Sequence, residues 1–340
     1  MKRILPLFLA LALLLTGCAA VSTTESASQT VSQVDSPSSA LESAPESASS
    51  QLESVGEVSI TDSNGSQITL DTSAPRVVAA YGSFAEAWLL AGGELVGVTQ
   101  DALEQRDLGL PEDIAVVGTV KEPNAEEIIA LEPDLVLLAS DITAQADIRD
   151  VLENAGLACA FFQVDTFADY AFMMEQLCAV TGREDLYEEN VTQVGQQIEE
   201  AQANAALSST RPNVLLIRAF STGIKAKTDD ELAGVILQDL GAHNIADDHP
   251  SMLEDLSLEE VIAANPDYIF VTTMGDEQKA LEYLNGLIDQ NPAWSQLSAV
   301  QEDRYIVLPK DLFHYKPNNR WGESYQYLGE ILYPEFFDEA

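Results

Sequence analysis

The densest cluster of chemically capable side chains in this 340-residue chain lies near its C-terminal end. Residues 312–321, LFHYKPNNRW, place His314, Tyr315, Lys316, Arg320 and Trp321 within eight positions. The chain around them is strongly acidic, with 56 Asp and Glu against 16 Lys and Arg and a formal net charge of −40. Cations gathered in one segment of such a chain suit recognition of an anion by charge-assisted hydrogen bonds, with aromatic rings at the flanks. Arg320 is the foremost candidate, because its planar fork grips a carboxylate or catecholate at two points and a lysine does not. The turn-forming run Pro317-Asn318-Asn319 fixes its approach. The competing role for Arg320 is an ion pair with Glu323 on the last helix. Lys121, Arg218, Lys225 and Lys227 lie in loops after strand-like runs and extend the same set of cations.

Other chemistries find less support. Only His243, His249 and His314 are present, and direct capture of a transition metal gathers several histidines with a carboxylate. His243 and His249 sit in polar turns, so no metal ligand is assigned. Ser83, in Tyr-Gly-Ser-Phe-Ala, lacks the second glycine of a nucleophile elbow. No GxGxxG opens a helix after a strand, and there is no phosphate-binding loop. Carboxylate pairs carry no information among 56 acids. Cys159 and Cys178 fall in apolar or helical patterns and suit small buried side chains, with a disulfide between them left open.

The elements that must position these residues come in two copies. Residues 124–138 read NAEEIIALEPDLVLL and residues 257–271 read SLEEVIAANPDYIFV, an offset of 133. Each parses as an amphipathic helix, a Pro-Asp break and a continuous apolar run, as in a parallel strand covered on both faces. Two such units imply two lobes with a cleft between them. Residues 57–71 alternate in polarity around Asn64-Gly65, a hairpin signal. Strands are expected at 76–80, 95–98, 115–117, 135–139, 157–162, 213–217, 268–272 and 304–308, with helices between. A mostly helical stretch from about 168 to 206, interrupted at Thr181-Gly182-Arg183, separates two α/β patterns, so it should join two α/β lobes.

The N-terminus sets the compartment. Lys2 and Arg3 precede the apolar run Ile4–Leu15, of signal-peptide length and too short to span a bilayer. Leu15-Thr16-Gly17-Cys18 resembles a bacterial lipobox, predicting a leader over 1–17 and diacylglycerol on Cys18, which would hold the chain on a membrane without crossing it. Losing the leader, with Lys2 and Arg3, takes the net charge to −42 and disfavours nucleic acid as a partner. Residues 18–56 read as a disordered linker: 12 of the 38 residues after Cys18 are Ser, and Lys, Arg and aromatics are absent.

Five stretches carry a family resemblance: RVVAAYGSFAEAWLLAGGELVGVT (76–99), VGTVKEPNAEEIIALEPDLVLLAS (117–140), LQDLGAHNIAD (237–247), LSLEEVIAANPDYIFVTT (256–273) and NPAWSQLSAVQEDRYIVLP (291–309). In order and spacing the chain resembles a substrate-binding lipoprotein of a bacterial ABC importer, in the class that carries iron–siderophores, haem or cobalamin. The resemblance implies two Rossmann-like α/β lobes, residues 57–167 and 208–340, bridged by a single long α-helix within a connector at 168–207, with the ligand cleft between lobes. It implies an anionic chelate of the ferric-siderophore type as ligand, with haem or cobalamin as alternatives, and a monomer that is extracytoplasmic, has no resident cofactor and is not an enzyme. A surface hydrolase or glycan-binding lipoprotein is the remaining alternative. By position, Glu126 and Glu259 would dock onto a membrane permease that carries a cytoplasmic ATPase, with Glu127 and Glu260 one residue along. Ligands bind at the carboxyl ends of strands in such lobes. That places Tyr81, Ser83, Lys121 and Ser140 in the cleft from the first lobe. From the second come Arg218, Lys225, Lys227, Met274, His314, Lys316, Arg320 and Trp321.

Overall fold

A computed structural model describes residues 57–337 except Asp255 and Ser257; the expected leader, Cys18 and linker lie outside the described residues. An antiparallel hairpin, β1 (Val58–Thr61) with β2 (Gln67–Leu70), opens the described chain. Its turn is organised by Asp62, whose carboxylate accepts the backbone N–H groups of Asn64 and Ser66 at 3.0 and 2.8 Å. The first lobe is built on β3 (Val77–Ala79), β4 (Leu95–Val98), β5 (Ala115–Val116), β8 (Leu135–Ala139) and β9 (Ala158–Phe162), all parallel, in the order β5-β4-β3-β8-β9. A small hairpin, β6 (Gly118–Thr119) with β7 (Glu122–Pro123), stands beside that sheet. The second lobe orders its strands β11-β10-β13-β14, from β10 (Asn213–Phe220), β11 (Gly223–Lys227), β13 (Tyr268–Thr273) and β14 (Tyr305–Val307). There β12 (His243–Asn244) pairs in parallel with the start of β10, and β11 is antiparallel to its end.

The unbroken apolar runs are explained by two covered faces. In β8, Leu135, Leu137 and Ala139 face one core, and Val136 and Leu138 face another with Ile128 and Leu152. In the second lobe Leu216 and Phe270 join the first of these cores, while Ile217, Ile269 and Val271 turn to an outer one. One core thus runs beneath the inner faces of both sheets.

The Pro-Asp repeats do the same physical work twice. Asp134 accepts the backbone N–H of Arg76 at 2.7 Å and returns its own N–H to the Arg76 carbonyl at 2.8 Å. Asp267 does this with Asn213, at 2.8 and 2.7 Å. The residues ahead of the prolines, Glu132 and Asn265, take positive φ values of 48° and 43°. They end each helix and turn the chain into the strand beside the lobe's first strand.

The helical stretch 168–207 is not one rod. Helix Phe167–Thr181 packs on the first lobe and ends at Gly182, whose φ of 67° suits glycine. The bridging segment is shorter: Glu184–Tyr187, a π turn at Glu188–Thr192, and Gln193–Ala205. At the π turn buried Asn190 donates to the Leu90 carbonyl of the first lobe at 3.2 Å and accepts from Asn319 of the second at 3.0 Å. Further along, Gly322 lets the last long helix approach closely, since a β-carbon there would meet the Gln197 side chain at 2.1 Å.

Candidate functional site

A cavity of about 390 Å³ lies where the carboxyl ends of both sheets meet, within the usual range for small-molecule sites. The first lobe supplies Tyr81 after β3, Asp141 and Ile142 after β8, and Asp165 and Thr166 after β9. The second supplies Arg218 on β10, Asp229–Leu232 and Val235 around a helix start, Met274 after β13, and Phe313, His314 and Lys316 after β14. Five of the twelve expected ligand residues, Tyr81, Arg218, Met274, His314 and Lys316, therefore come together.

The other seven do not line it. Ser83 is buried, and its hydroxyl accepts from Arg106 at 2.9 Å. Ser140 donates at 3.4 Å to the Phe162 carbonyl. Lys121 is exposed at the tip of the β6–β7 hairpin. Lys225 and Lys227 are not in a loop: they sit on β11, Lys225 exposed and Lys227 ion-paired with Asp230 and Glu231. Arg320 is held by Asp311 and Glu323, at 2.8 and 2.6 Å. Trp321 is fully buried, its ring edge-on to Phe167 with centroids 6.3 Å apart. The segment 312–321 forms short helical turns, so its residues radiate in several directions and only part of it meets the cavity.

That placement corrects the charge argument. Of the six cations expected in the cleft only Arg218 and Lys316 line it, and both are paired, with Glu231 and with Asp165 at 3.1 Å. Carboxylates that sequence reasoning passed over, Asp165, Asp229, Asp230 and Glu231, stand on the walls. Glu231 is buried at 6% exposure, and burial raises its pKa against the opposing pull of Arg218 and Lys227. The one local signal was the acidic triplet immediately ahead of a helical pattern, which 56 acids elsewhere drown.

Arg320 then behaves as a surface residue. Its side chain is 41% exposed, and exposed ion pairs contribute about 0–1 kcal/mol. Both Arg320→Lys and Arg320→Ala are expected to leave ligand affinity unchanged and to lower stability by less than about 1 kcal/mol. Calorimetric titration of the two variants checks this, and a tenfold loss of affinity in either would return Arg320 to the ligand.

His314 is the most perturbed group facing the cavity. Burial, then the positive charges of Arg218, Lys310 and Lys316, push its pKa down to about 4. It is neutral at pH 7, and its buried Nδ1 has no hydrogen-bond partner. Below the ordinary pKa of about 6.5 the unfolded chain takes up a proton there that the folded protein refuses. This group's contribution is therefore fully present above that pH and is lost as pH falls from about 6.5 toward 4. His314→Gln should flatten that part of the stability curve; urea midpoints of both proteins at pH 7 and 4.5 test it, and parallel curves would contradict it.

A latch ties the two lobes together. Arg106 pairs with Glu86 and donates to the Lys316 carbonyl at 2.9 Å, while buried Asn318 donates to the Ser83 carbonyl at 3.0 Å and to Glu86 at 2.6 Å. With the shared core and the helical bridge, these contacts fix the two walls against each other. Among the described residues no cluster of three or more His, Cys, Asp or Glu is placed to hold a metal ion, and no helix is long and apolar enough to cross a membrane. His243 pairs with Asp248 at 2.8 Å, away from the cavity, and Cys159 and Cys178 are both free and buried.

A family model for periplasmic binding proteins matches residues 77–312. The chain belongs to the periplasmic binding protein family. This binding protein is 24% identical over 253 residues to the Fe(3+)-citrate-binding protein YfmC of Bacillus subtilis, covering 72% of this chain and 76% of that one. Among solved structures, FepB from Veillonella parvula, described as a TroA-like periplasmic binding protein, has the same fold at a TM-score of 0.67 and 20% identity, over 83% of this chain and 92% of that one. IsdE of S. aureus complexed with heme superposes at 0.63 and 18% identity, over 76% of this chain and 99% of that one. An ABC transporter substrate-binding protein from Listeria monocytogenes EGD-e has the same fold at a TM-score of 0.61 and 22% identity, over 76% of this chain and 99% of that one.

Proposed function

We propose that this periplasmic binding protein captures a ferric chelate of the siderophore type between its lobes, outside the cytoplasm, and delivers it to an ABC permease. One observation carries the reading: a cavity of about 390 Å³ at the carboxyl ends of both sheets, walled by Tyr81, Arg218, Met274, His314 and Lys316. Such a cavity encloses a compact chelate, with Tyr81 and Phe313 supplying apolar surface. Relatives named for ferric citrate and heme, and a SirA structure containing staphyloferrin B, support an iron-bearing cargo. Lipid on Cys18 would keep the protein at the membrane, and the 18–56 linker would let it reach the permease as a monomer. Glu126 and Glu259 would form the docking pair. Binding without turnover is the activity proposed.

Haem is the second reading, favoured by His314 specifically. Neutral and lining the same cavity as Met274, it is of the side-chain types that serve as axial ligands to haem iron. Native mass spectrometry of the full-length protein with a mixed panel of ferric hydroxamates, catecholates, citrate, haem and a corrinoid separates these readings. A one-to-one complex with a ferric chelate is expected; a lone haem complex, with a shifted Soret band abolished in His314→Ala, selects the second reading.

A further inference from the structure

We propose that the cavity selects among ferric chelates by charge, accepting neutral and cationic complexes and rejecting anionic ones. This rests on the iron-chelate reading above. Two cations face the cavity, and each is already neutralised by a carboxylate. Arg218 is ion-paired with Glu231, and the Lys316 Nζ lies 3.1 Å from Asp165 across the cleft. Lys227, just behind the wall, is held by Asp230 and, at 3.3 Å, by Glu231. The remaining cation near His314, Lys310, donates to the Gly275 carbonyl at 2.7 Å and lies 5.8 Å over the Tyr315 ring.

The carboxylates are in excess. Besides the three that hold cations, Asp141 and Asp229 line the cavity, are exposed, and join no ion pair among the described residues. An anionic chelate that drew Arg218 from Glu231 would leave that buried carboxylate with the Lys227 ammonium alone, at 3.3 Å, a costly exchange. It would also meet Asp141 and Asp229 as like charges, inside a chain of net charge −40. A neutral or cationic chelate leaves both ion pairs intact. An amine or hydroxyl on its periphery gains Asp141 and Asp229 as acceptors.

The test holds chelation chemistry constant and varies charge. A linear ferric trihydroxamate with a free terminal amine is cationic, its acetylated form neutral and its succinylated form anionic. Full-length protein is titrated with these three and with ferric citrate, a ferric tris-catecholate and haem as anionic probes of other chemistries. The tightest complex should be neutral or cationic and bind at least roughly tenfold better than any anionic probe, about 1.4 kcal/mol. That margin should shrink between low salt and 1 M salt, where the Debye length falls to about 3 Å. The surface double variant Asp141→Asn/Asp229→Asn should improve binding of anionic probes several-fold. An anionic probe that binds within tenfold of the best, or a double variant without that gain, overturns the charge rule while leaving the iron-chelate reading standing. Failure of every probe to bind defeats both.

Discussion

Iron uptake through this protein should collapse when Glu126 and Glu259 are both replaced by alanine, while ligand affinity stays unchanged. The two carboxylates occupy equivalent places in the repeated unit, in the first turn of helices Ala125–Ala130 and Leu258–Ala264. Both are exposed, and each helix leads into the strand that pairs with its lobe's first strand. The first-turn position has a local rationale as well, since negative charge suits a helix N-terminus, and Asn124 caps the first helix by accepting from Glu126 and Glu127 N–H at 3.1 and 3.3 Å. Capping does not need the Glu126 side chain, which leaves its carboxylate available to a partner. In the second copy the neighbouring Glu260 accepts from the Ser251 hydroxyl at 3.0 Å, so Glu259 is the freer of the two. Because the latch and the shared core fix the lobes, the separation of the two carboxylates is set by the protein itself. Truncating one partner of a desolvated interfacial ion pair costs about 2–5 kcal/mol. Each single variant should therefore slow uptake strongly, and the pair should bring it to background. Uptake of labelled iron in cells relying on the variant, alongside titration of the purified protein, is the measurement. Normal uptake by the double variant would remove these residues from docking, and a loss confined to Glu127→Ala would move the contact one residue along.

The second large effect is on stability. Trp321→Ala is expected to cost about 3–5 kcal/mol, the range for emptying a buried aromatic site. The side chain has no exposed surface and packs edge-on to Phe167, where the first helix after β9 meets the last long helix of the second lobe. The cavity so created would loosen the junction that positions both walls of the cleft. Trp321→Phe should cost much less. It keeps a ring against Phe167 and removes an indole N–H that is buried without a hydrogen-bond partner, a burden of about 1–3 kcal/mol. Urea unfolding of both variants gives the ordering. Full stability in Trp321→Ala together with lost ligand binding would instead put the indole on the ligand.

Much of the architecture was determined locally. The two Pro-Asp units could be read from sequence because their function is local: an aspartate hooks the start of the lobe's first strand, and a positive-φ residue before proline stops a helix. The apolar runs were legible because a strand covered on both faces needs no polar alternation. Tyr81, Arg218, Met274 and Lys316 followed from strand ends, where topology alone delivers a residue to the cleft. What tertiary structure decided was direction and partnership. Lys225 and Lys227 were expected in a loop, but β10 recruits them as an antiparallel edge strand, and pairing then decides which way they point. Arg320 and Trp321 stand side by side, yet one joins Asp311 and Glu323 at the surface and the other enters the core, because successive residues at a helix start diverge around its axis. The charge of the cleft lay furthest from reach. It depends on which few of 56 carboxylates are brought opposite a handful of cations, and electrostatic energy depends on distances and burial that residue spacing along a chain does not specify.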